Sequence, residues 1–283
     1  MGKEPSVLQG RRVVVVLPAF NAAATLVRTV SEIDREVVDE ILLVDDASTD
    51  GTPAVARRLD LRCITHPSNL GYGANQKTCY SAALEAGADI VVMVHPDYQY
   101  SPRLVTAMAA MITSGHYDLV LGSRVLAQDA VANGMPRYKY LANRALTIAE
   151  NLLLDQRLSE YHTGLRAYSA ELLRALPLES NSDDFVFDNQ VIVQAVHLGA
   201  RIGEISCPTR YGADASSISL RRSIRYGFGV LATAGAYRLE RLGLRSSSLL
   251  GAAAATSTPA RPGAPYSAGS DEPDSVAPLC QLS

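Results

Sequence analysis

Continuous apolar, β-branched runs alternate with stretches of helical periodicity along the first half of the chain. This order predicts a doubly wound, mostly parallel α/β sheet flanked by helices. Residues 13–17 form an unbroken apolar run, the pattern of a strand buried on both faces. Leu26, Val27, Val30 and Ile33 then recur at helical spacing. Residues 41–44 read as a second buried strand. Thr52 and Pro53 follow as N-cap and first-turn proline of a helix carrying Val55 and Leu59. Residues 61–65 are a third strand, and a helix over about 74–86 is stopped by Gly87. Residues 90–94 give a fourth strand. Ser101 and Pro102 open a helix with Leu104, Val105, Met108 and Ile112 facing inward and Gly115 closing it. Residues 119–121 give a fifth strand.

The second half is less regular. It predicts a helix over 138–154, a polar loop through Gly164 and a short helix over 170–176. A helix over 185–197 ending at Gly199, a strand over 202–206 and a basic-edged helix over 223–242 complete it. From Arg245 the composition turns to Ala, Ser, Pro and Gly without periodicity, so residues 245–283 are expected to be a disordered tail.

Composition narrows the function classes. An apolar content of 47%, a charged content of 19% and a net charge of −3 offer no electrostatic footprint for nucleic acid. Cys63, Cys79, Cys207 and Cys280 are scattered with no C-x-x-C pair, and the polar start resembles no targeting peptide. A reduced, cytoplasmic chain is expected. No run reaches the ~18–20 apolar residues that span a bilayer. The nearest, 226–237, is interrupted by three glycines and leaves only a peripheral position on the inner membrane face open.

Polar residues gather at the carboxyl ends of the predicted strands, where open α/β sheets bind ligands. The first strand runs into Pro18, Phe20 and Asn21, and the second into Asp45, Asp46 and residues up to Thr52. Two adjacent acids after a buried strand exceed what a helix cap requires, and one can accept hydrogen bonds from a nucleobase or ribose. The loop containing Gly71, Gly73 and Asn75 opens a helix, and its glycines would let backbone amides approach a bound group. His95, Asp97 and Gln99 alternate after the fourth strand. If extended backbone continued, the three would share one side and could help hold a divalent ion beside two phosphate oxygens.

Together these segments resemble glycosyltransferase family 2, within it the dolichol-phosphate mannosyltransferases and related polyprenyl-phosphate sugar transferases. The carriers are LPAFN (17–21), VDDASTDGT (44–52), NLGYGAN (69–75), HPDYQ (95–99), GSR (122–124), HTGLRAYS (162–169) and FVFDNQ (185–190), in the family's order. The resemblance implies a GT-A fold over 1–244, with a nucleotide-sugar half (13–125) and an acceptor half (126–244) ending in an amphipathic helix. It implies inverting transfer from a nucleoside-diphosphate sugar, GDP-mannose or a UDP-sugar, assisted by Mg²⁺ or Mn²⁺. The acceptor it implies is a polyprenyl phosphate, with a soluble acceptor as the rival. Carried over, Pro18, Phe20, Asn21, Asp45 and Asp46 bind the nucleotide. Asp97 is the main metal ligand with Gln99 assisting, and Arg124 and Arg166 line the phosphates or the acceptor. Asp188 or Asp184 would serve as base if the acceptor were a hydroxyl, and His162 could face the site.

Four departures stand out. His95 replaces the first acid of D-x-D, Ala22 replaces an acid after the first strand, and Gln190 replaces an acid in the FDNQ helix. Beyond Tyr211 the family's R-x-x-G-x-S-K element is missing, with Arg210, Arg221, Arg222 and Arg225 nearby. They motivate a rival of another class, a catalytically silent nucleotide-binding relative. A NAD-binding Rossmann enzyme is excluded, since no G-x-G-x-x-G follows the first strand.

Overall fold

The computed structural model describes residues 8–126, 130–209 and 220–251. The strands are β1 (Val13–Ala19), β2 (Glu40–Asp45), β3 (Arg62–Thr65), β4 (Ile90–Met93), β5 (Leu119–Ser123), β6 (Arg166–Ser169) and β7 (Ile202–Ser206). The α-helices are α1 (Ala23–Ser31), α2 (Thr52–Arg58), α3 (Tyr72–Glu85), α4 (Val105–Thr113), α5 (Arg137–Leu154), α6 (Ala170–Ala175), α7 (Phe187–His197), α8 (Leu220–Arg241) and α9 (Ser248–Gly251). One seven-stranded sheet of order β3-β2-β1-β4-β6-β5-β7 organises them. Only β6 runs against its neighbours, pairing antiparallel with both β4 and β5.

The unbroken apolar runs make sense because both faces of the sheet are covered. Alternate residues of β1 enter opposite cores: Val14 and Val16 pack towards α3 and α7, while Val13, Val15 and Leu17 pack with α1, α2 and α4. Gly87, Gly115 and Gly199 each close a helix at positive φ (77°, 73° and 72°), the conformation that costs glycine no Cβ strain.

The structure departs from the sequence expectation in three places. First, β6 lies between the loop expected through Gly164 and the helix expected from 170, where no element is expected, because a four-residue strand beginning with arginine and ending with serine shows no apolar run. Ser169 then caps α6, its side chain accepting from the Leu172 amide at 3.2 Å. Second, Thr52 does not cap α2. Gly51 holds the cap position, and the buried Thr52 hydroxyl accepts from the Ala22 amide at 2.8 Å and donates to Asp50 at 2.5 Å. Third, order continues past 245: α9 packs against α7, and Leu250 is fully buried in the core. Residues 252–283 of the expected tail lie outside the described residues.

Candidate active site

Two clefts open at the carboxyl ends of the central strands. The first, about 1100 Å³, is walled by Pro18–Ala22, Asp46, the 69–72 loop, Asn75, residues 182–186, Arg222 and Arg225. The second, about 600 Å³, combines apolar Met135, Tyr138, Leu146, Ile224, Phe228 and Leu231 with Arg124, Lys139, His162 and Asp188. Tyr72, His95, Asp97, Phe185 and Tyr226 line both and form their junction.

In the first cleft Phe20 stands 53% exposed, presenting its ring where a planar base can stack. Asn21 sits at φ 53° and clasps the loop after β2. Its amide donates to Ser48 Oγ at 2.8 Å, and its Oδ1 accepts from the Thr49 amide at 2.9 Å. Asn75 lines the cleft and donates to the Ala19 carbonyl at 3.3 Å. Pro18 lies on the wall.

The paired acids divide their work in a way the sequence does not show. Asp46 lines the cleft, but its carboxylate accepts from the Leu70 amide (2.9 Å), the Gly71 amide (3.0 Å) and His66 Nδ1 (2.8 Å). It therefore shapes the 69–71 loop. Asp45 is fully buried outside the cleft lining, with Oδ2 accepting from the Ser48 amide at 3.1 Å and Oδ1 lacking a partner. The glycine expectation is also corrected. A Cβ on Gly71 would stand 2.6 Å from the Asp183 carbonyl, and one on Gly73 would stand 2.3 Å from the Ser182 carbonyl. The Gly73 amide donates to Asp183 O at 2.7 Å. These glycines admit the 182–183 loop against α3, and their amides are spent on protein partners.

At the junction, the extended alternation assumed for 95–99 fails. Tyr98 turns at φ 58°, and the Gln99 amide donates to Asp97 Oδ1 at 3.1 Å. His95 and Asp97 nevertheless reach both clefts, while Gln99 lines only the second. Tyr72, passed over in the sequence, donates its hydroxyl hydrogen to Asp188 Oδ2 at 2.7 Å and lies 3.1 Å from His95 Nε2. A hydroxyl has one hydrogen and a carboxylate only accepts, so His95 Nε2–H must donate to Tyr72. Burial outweighs the pull of the Asp97 and Asp188 carboxylates and holds the His95 pKa below its ordinary value, keeping the ring neutral. Its lone pair therefore sits on Nδ1. The ring stacks on Tyr72 (centroids 5.4 Å apart) and abuts Gly164, where a Cβ would come within 2.5 Å of it.

Among the described residues no three His, Cys, Asp or Glu side chains gather as a metal cage. The Asp97 carboxylate and the neutral His95 imidazole at the junction, with the Gln99 amide in the second cleft, fit a different arrangement, in which phosphate oxygens complete the coordination of a hard or borderline divalent ion.

Most of the remaining expected residues are engaged by protein partners. Arg166 is fully buried and lines neither cleft. It donates to the carbonyls of Thr163 (2.9 Å), Asp188 (2.8 Å) and Tyr161 (3.3 Å). Burial opposes its charge, but the Asp188 carboxylate prevails and raises its pKa. Arg124 borders the second cleft with Nε 2.8 Å from the buried Glu160 and a further contact to the His162 carbonyl at 2.6 Å. Asp188 lies in the first turn of α7, and its two oxygens accept from Tyr72 and, at 3.0 Å, Gln76. Asp184 lines the first cleft and caps the turn before α7 through the Phe185 amide at 2.8 Å. Gln190 accepts from the Ser182 amide at 2.7 Å, steadying the loop that closes the first cleft. Arg222 and Arg225 stand on the wall of that cleft, whereas Arg210 and the side chain of Arg221 lie outside the described residues.

Comparison with known proteins agrees with this geometry. The family profile for glycosyl transferase family 2 matches residues 14–176, more than half of the chain. The chain is 26% identical over 214 residues to the UDP-N-acetylglucosamine–dolichyl-phosphate N-acetylglucosaminyltransferase of Methanococcus voltae, covering 70% of this chain and 85% of that protein. It is 29% identical over 205 residues to the undecaprenyl-phosphate mannosyltransferase of Micrococcus luteus, covering 69% and 82%. The fold matches glucosyl-3-phosphoglycerate synthase of Mycobacterium tuberculosis, solved with Mg²⁺ and UDP, at TM-score 0.65 and 23% identity over 86% of this chain and 83% of that one. With a GT-A fold and this match, the chain belongs to glycosyl transferase family 2 and is a glycosyltransferase that uses a nucleotide-sugar donor.

Proposed function

We propose that the protein transfers a sugar, with inversion, from GDP-mannose or a UDP-sugar to a polyprenyl phosphate. The observation that carries this reading is the meeting of two unlike clefts at His95 and Asp97. One has an exposed aromatic for a base and arginines for phosphates, and the other is largely apolar with Arg124 and Lys139 at hand. The relatives whose names specify dolichyl or undecaprenyl phosphate add support. Phe20 stacks on the base, and Asp46, which lines the same cleft, accepts from base or ribose. Asp97, His95 Nδ1 and Gln99 hold Mg²⁺ or Mn²⁺, which when bound offsets negative charge growing on the leaving diphosphate. Arg222 and Arg225 add positive charge on the same side.

A phosphate monoester suits the second cleft because its charge meets Arg124 and Lys139 while an isoprenoid chain follows Ile224, Phe228 and Leu231. Ile224 and Phe228 are 55% and 71% exposed on α8, and Leu141 and Leu152 are exposed on α5, which packs against α8. This stripe would rest on a membrane surface at the inner face. No helix among the described residues is long and apolar enough to cross a membrane. The test is transfer from GDP-mannose, UDP-glucose and UDP-N-acetylglucosamine to undecaprenyl phosphate in detergent micelles, with phosphoglyceric acid as a soluble comparison. Lipid-linked product bears the reading out. Product on phosphoglyceric acid alone would move the acceptor to the soluble class.

A further inference from the structure

Behind the second cleft lies a chain of three polar side chains that the account so far leaves idle. Glu150 of α5 is fully buried, and among the described residues no lysine or arginine pairs with it. Its Oε1 accepts from the Asn189 amide, and its Oε2 stands 3.2 Å from His162 Nε2. The other ring nitrogen, His162 Nδ1, is 2.8 Å from the Tyr226 hydroxyl. Tyr226 in turn belongs to the five side chains at the junction of both clefts.

Oε2 and Nε2 face each other at 3.2 Å without hydrogen-bond alignment, and among the described residues neither has another partner; an imidazole lone pair turned on a buried carboxylate would repel it, so Nε2 carries the hydrogen. That leaves Nδ1 as the acceptor, so the Tyr226 hydrogen points to His162 and its oxygen lone pairs face the clefts. We propose that Tyr226, His162 and Glu150 form a relay that removes the proton from the attacking oxygen of the acceptor. The bond from that oxygen to the anomeric carbon forms as the bond from the same carbon to the diphosphate breaks. The acceptor's proton passes to the Tyr226 oxygen while the tyrosine's own proton passes to His162 Nδ1, and Glu150 balances the imidazolium. Tyrosinate never accumulates. Burial first, then the Glu150 and Asp188 carboxylates, raise the Tyr226 pKa against the pull of Arg166 and Arg124. Tyr226 is the catalytic member, and His162 and Glu150 position and charge it. An acceptor bearing a removable proton is the shared chemistry, supplied by an alcohol or by a phosphate monoester below its second ionisation near pH ~6.

This inference rests on the transferase reading. The test compares kcat from pH 5.5 to 9 for wild type, Tyr226→Phe, His162→Gln and Asp188→Asn, using undecaprenyl phosphate and phosphoglyceric acid as acceptors. With the phosphate acceptor, half of which is already ionised at pH ~6, Tyr226→Phe and His162→Gln should lose about fourfold at pH 5.5 and about twofold at pH 6, and match wild type by pH 8.5. Any turnover on the alcohol, which stays protonated from pH 5.5 to 9, should fall on the order of 10²-fold at every pH. A pH-independent loss on the phosphate, activity equal to wild type at pH 5.5, or the same profile in Asp188→Asn alone would overturn the relay. A wild type that transfers nothing would overturn the underlying reading with it.

Discussion

At the scale of single residues, Asp97 carries the heaviest expectation. It lines both clefts and is exposed enough to meet a ligand, so Asp97→Ala should abolish transfer while leaving thermal unfolding unchanged. Retained turnover would remove it from the metal role. His95→Asp should shift the optimum from Mn²⁺ towards Mg²⁺, since an oxygen ligand replaces an imidazole, and an unchanged metal profile would argue against Nδ1 ligation. Glu160 tests the scaffold. Burial alone would raise its pKa, but Arg124 outweighs this and lowers it. A depressed carboxylate stabilises the fold above its ordinary pKa and loses that contribution as pH falls through the folded value. Glu160→Gln should therefore cost about 3–5 kcal/mol at neutral pH, with the deficit shrinking in urea titrations below pH ~4. A deficit constant with pH would contradict it.

The same residues show what a sequence exposes and what it conceals. Phe20 and Asp97 are recognisable because a strand end followed by polar residues marks a ligand-binding edge, and Asn75 because a glycine loop opens its helix. Arg166 misleads, because a conspicuous arginine beside a glycine looks identical whether it meets a phosphate or three buried carbonyls. Tyr72, His66 and Glu150 leave no local signal, since their partners at 188, 46 and 162 come from remote segments.

At the scale of elements, β1, β2, β4 and β5 are legible because burial on both faces writes an apolar run. β6 is hidden because antiparallel insertion between β4 and β5 needs only four residues, and its arginine is satisfied by carbonyls rather than excluded from the core. α9 is hidden for a related reason. Four residues have no periodicity, and only tertiary contact shows that Leu250 fills the core beside α7. Leu250→Ala should cost about 2–5 kcal/mol in chemical denaturation, whereas a tail that contributes nothing would leave stability unaltered. Gly73→Ala sets the added methyl 2.3 Å from the Ser182 carbonyl, a contact that must push the 182–184 loop off α3. Nucleotide affinity, read by calorimetry with UDP and GDP, should fall at least tenfold. Affinity equal to wild type would show that this loop does not shape the donor cleft.

For the whole molecule, one sheet spans both halves, so the strand ends that hold the donor and the helices that wall the second cleft meet at a single junction. His95 looks in the sequence like a damaged metal motif. In the fold it is a neutral imidazole held through Nε2 by Tyr72, which Asp188 holds in turn, so that Nδ1 carries the lone pair. The central claim is that sugar passes across this junction with a metal at His95 and Asp97. The most direct measurement is product formation from GDP-mannose, UDP-glucose and UDP-N-acetylglucosamine with undecaprenyl phosphate, in Mn²⁺, in Mg²⁺ and in EDTA. The account predicts lipid-linked sugar from at least one donor, with turnover lost in EDTA and restored by Mn²⁺. Intact UDP or GDP binding with no turnover from any donor in either metal would contradict it.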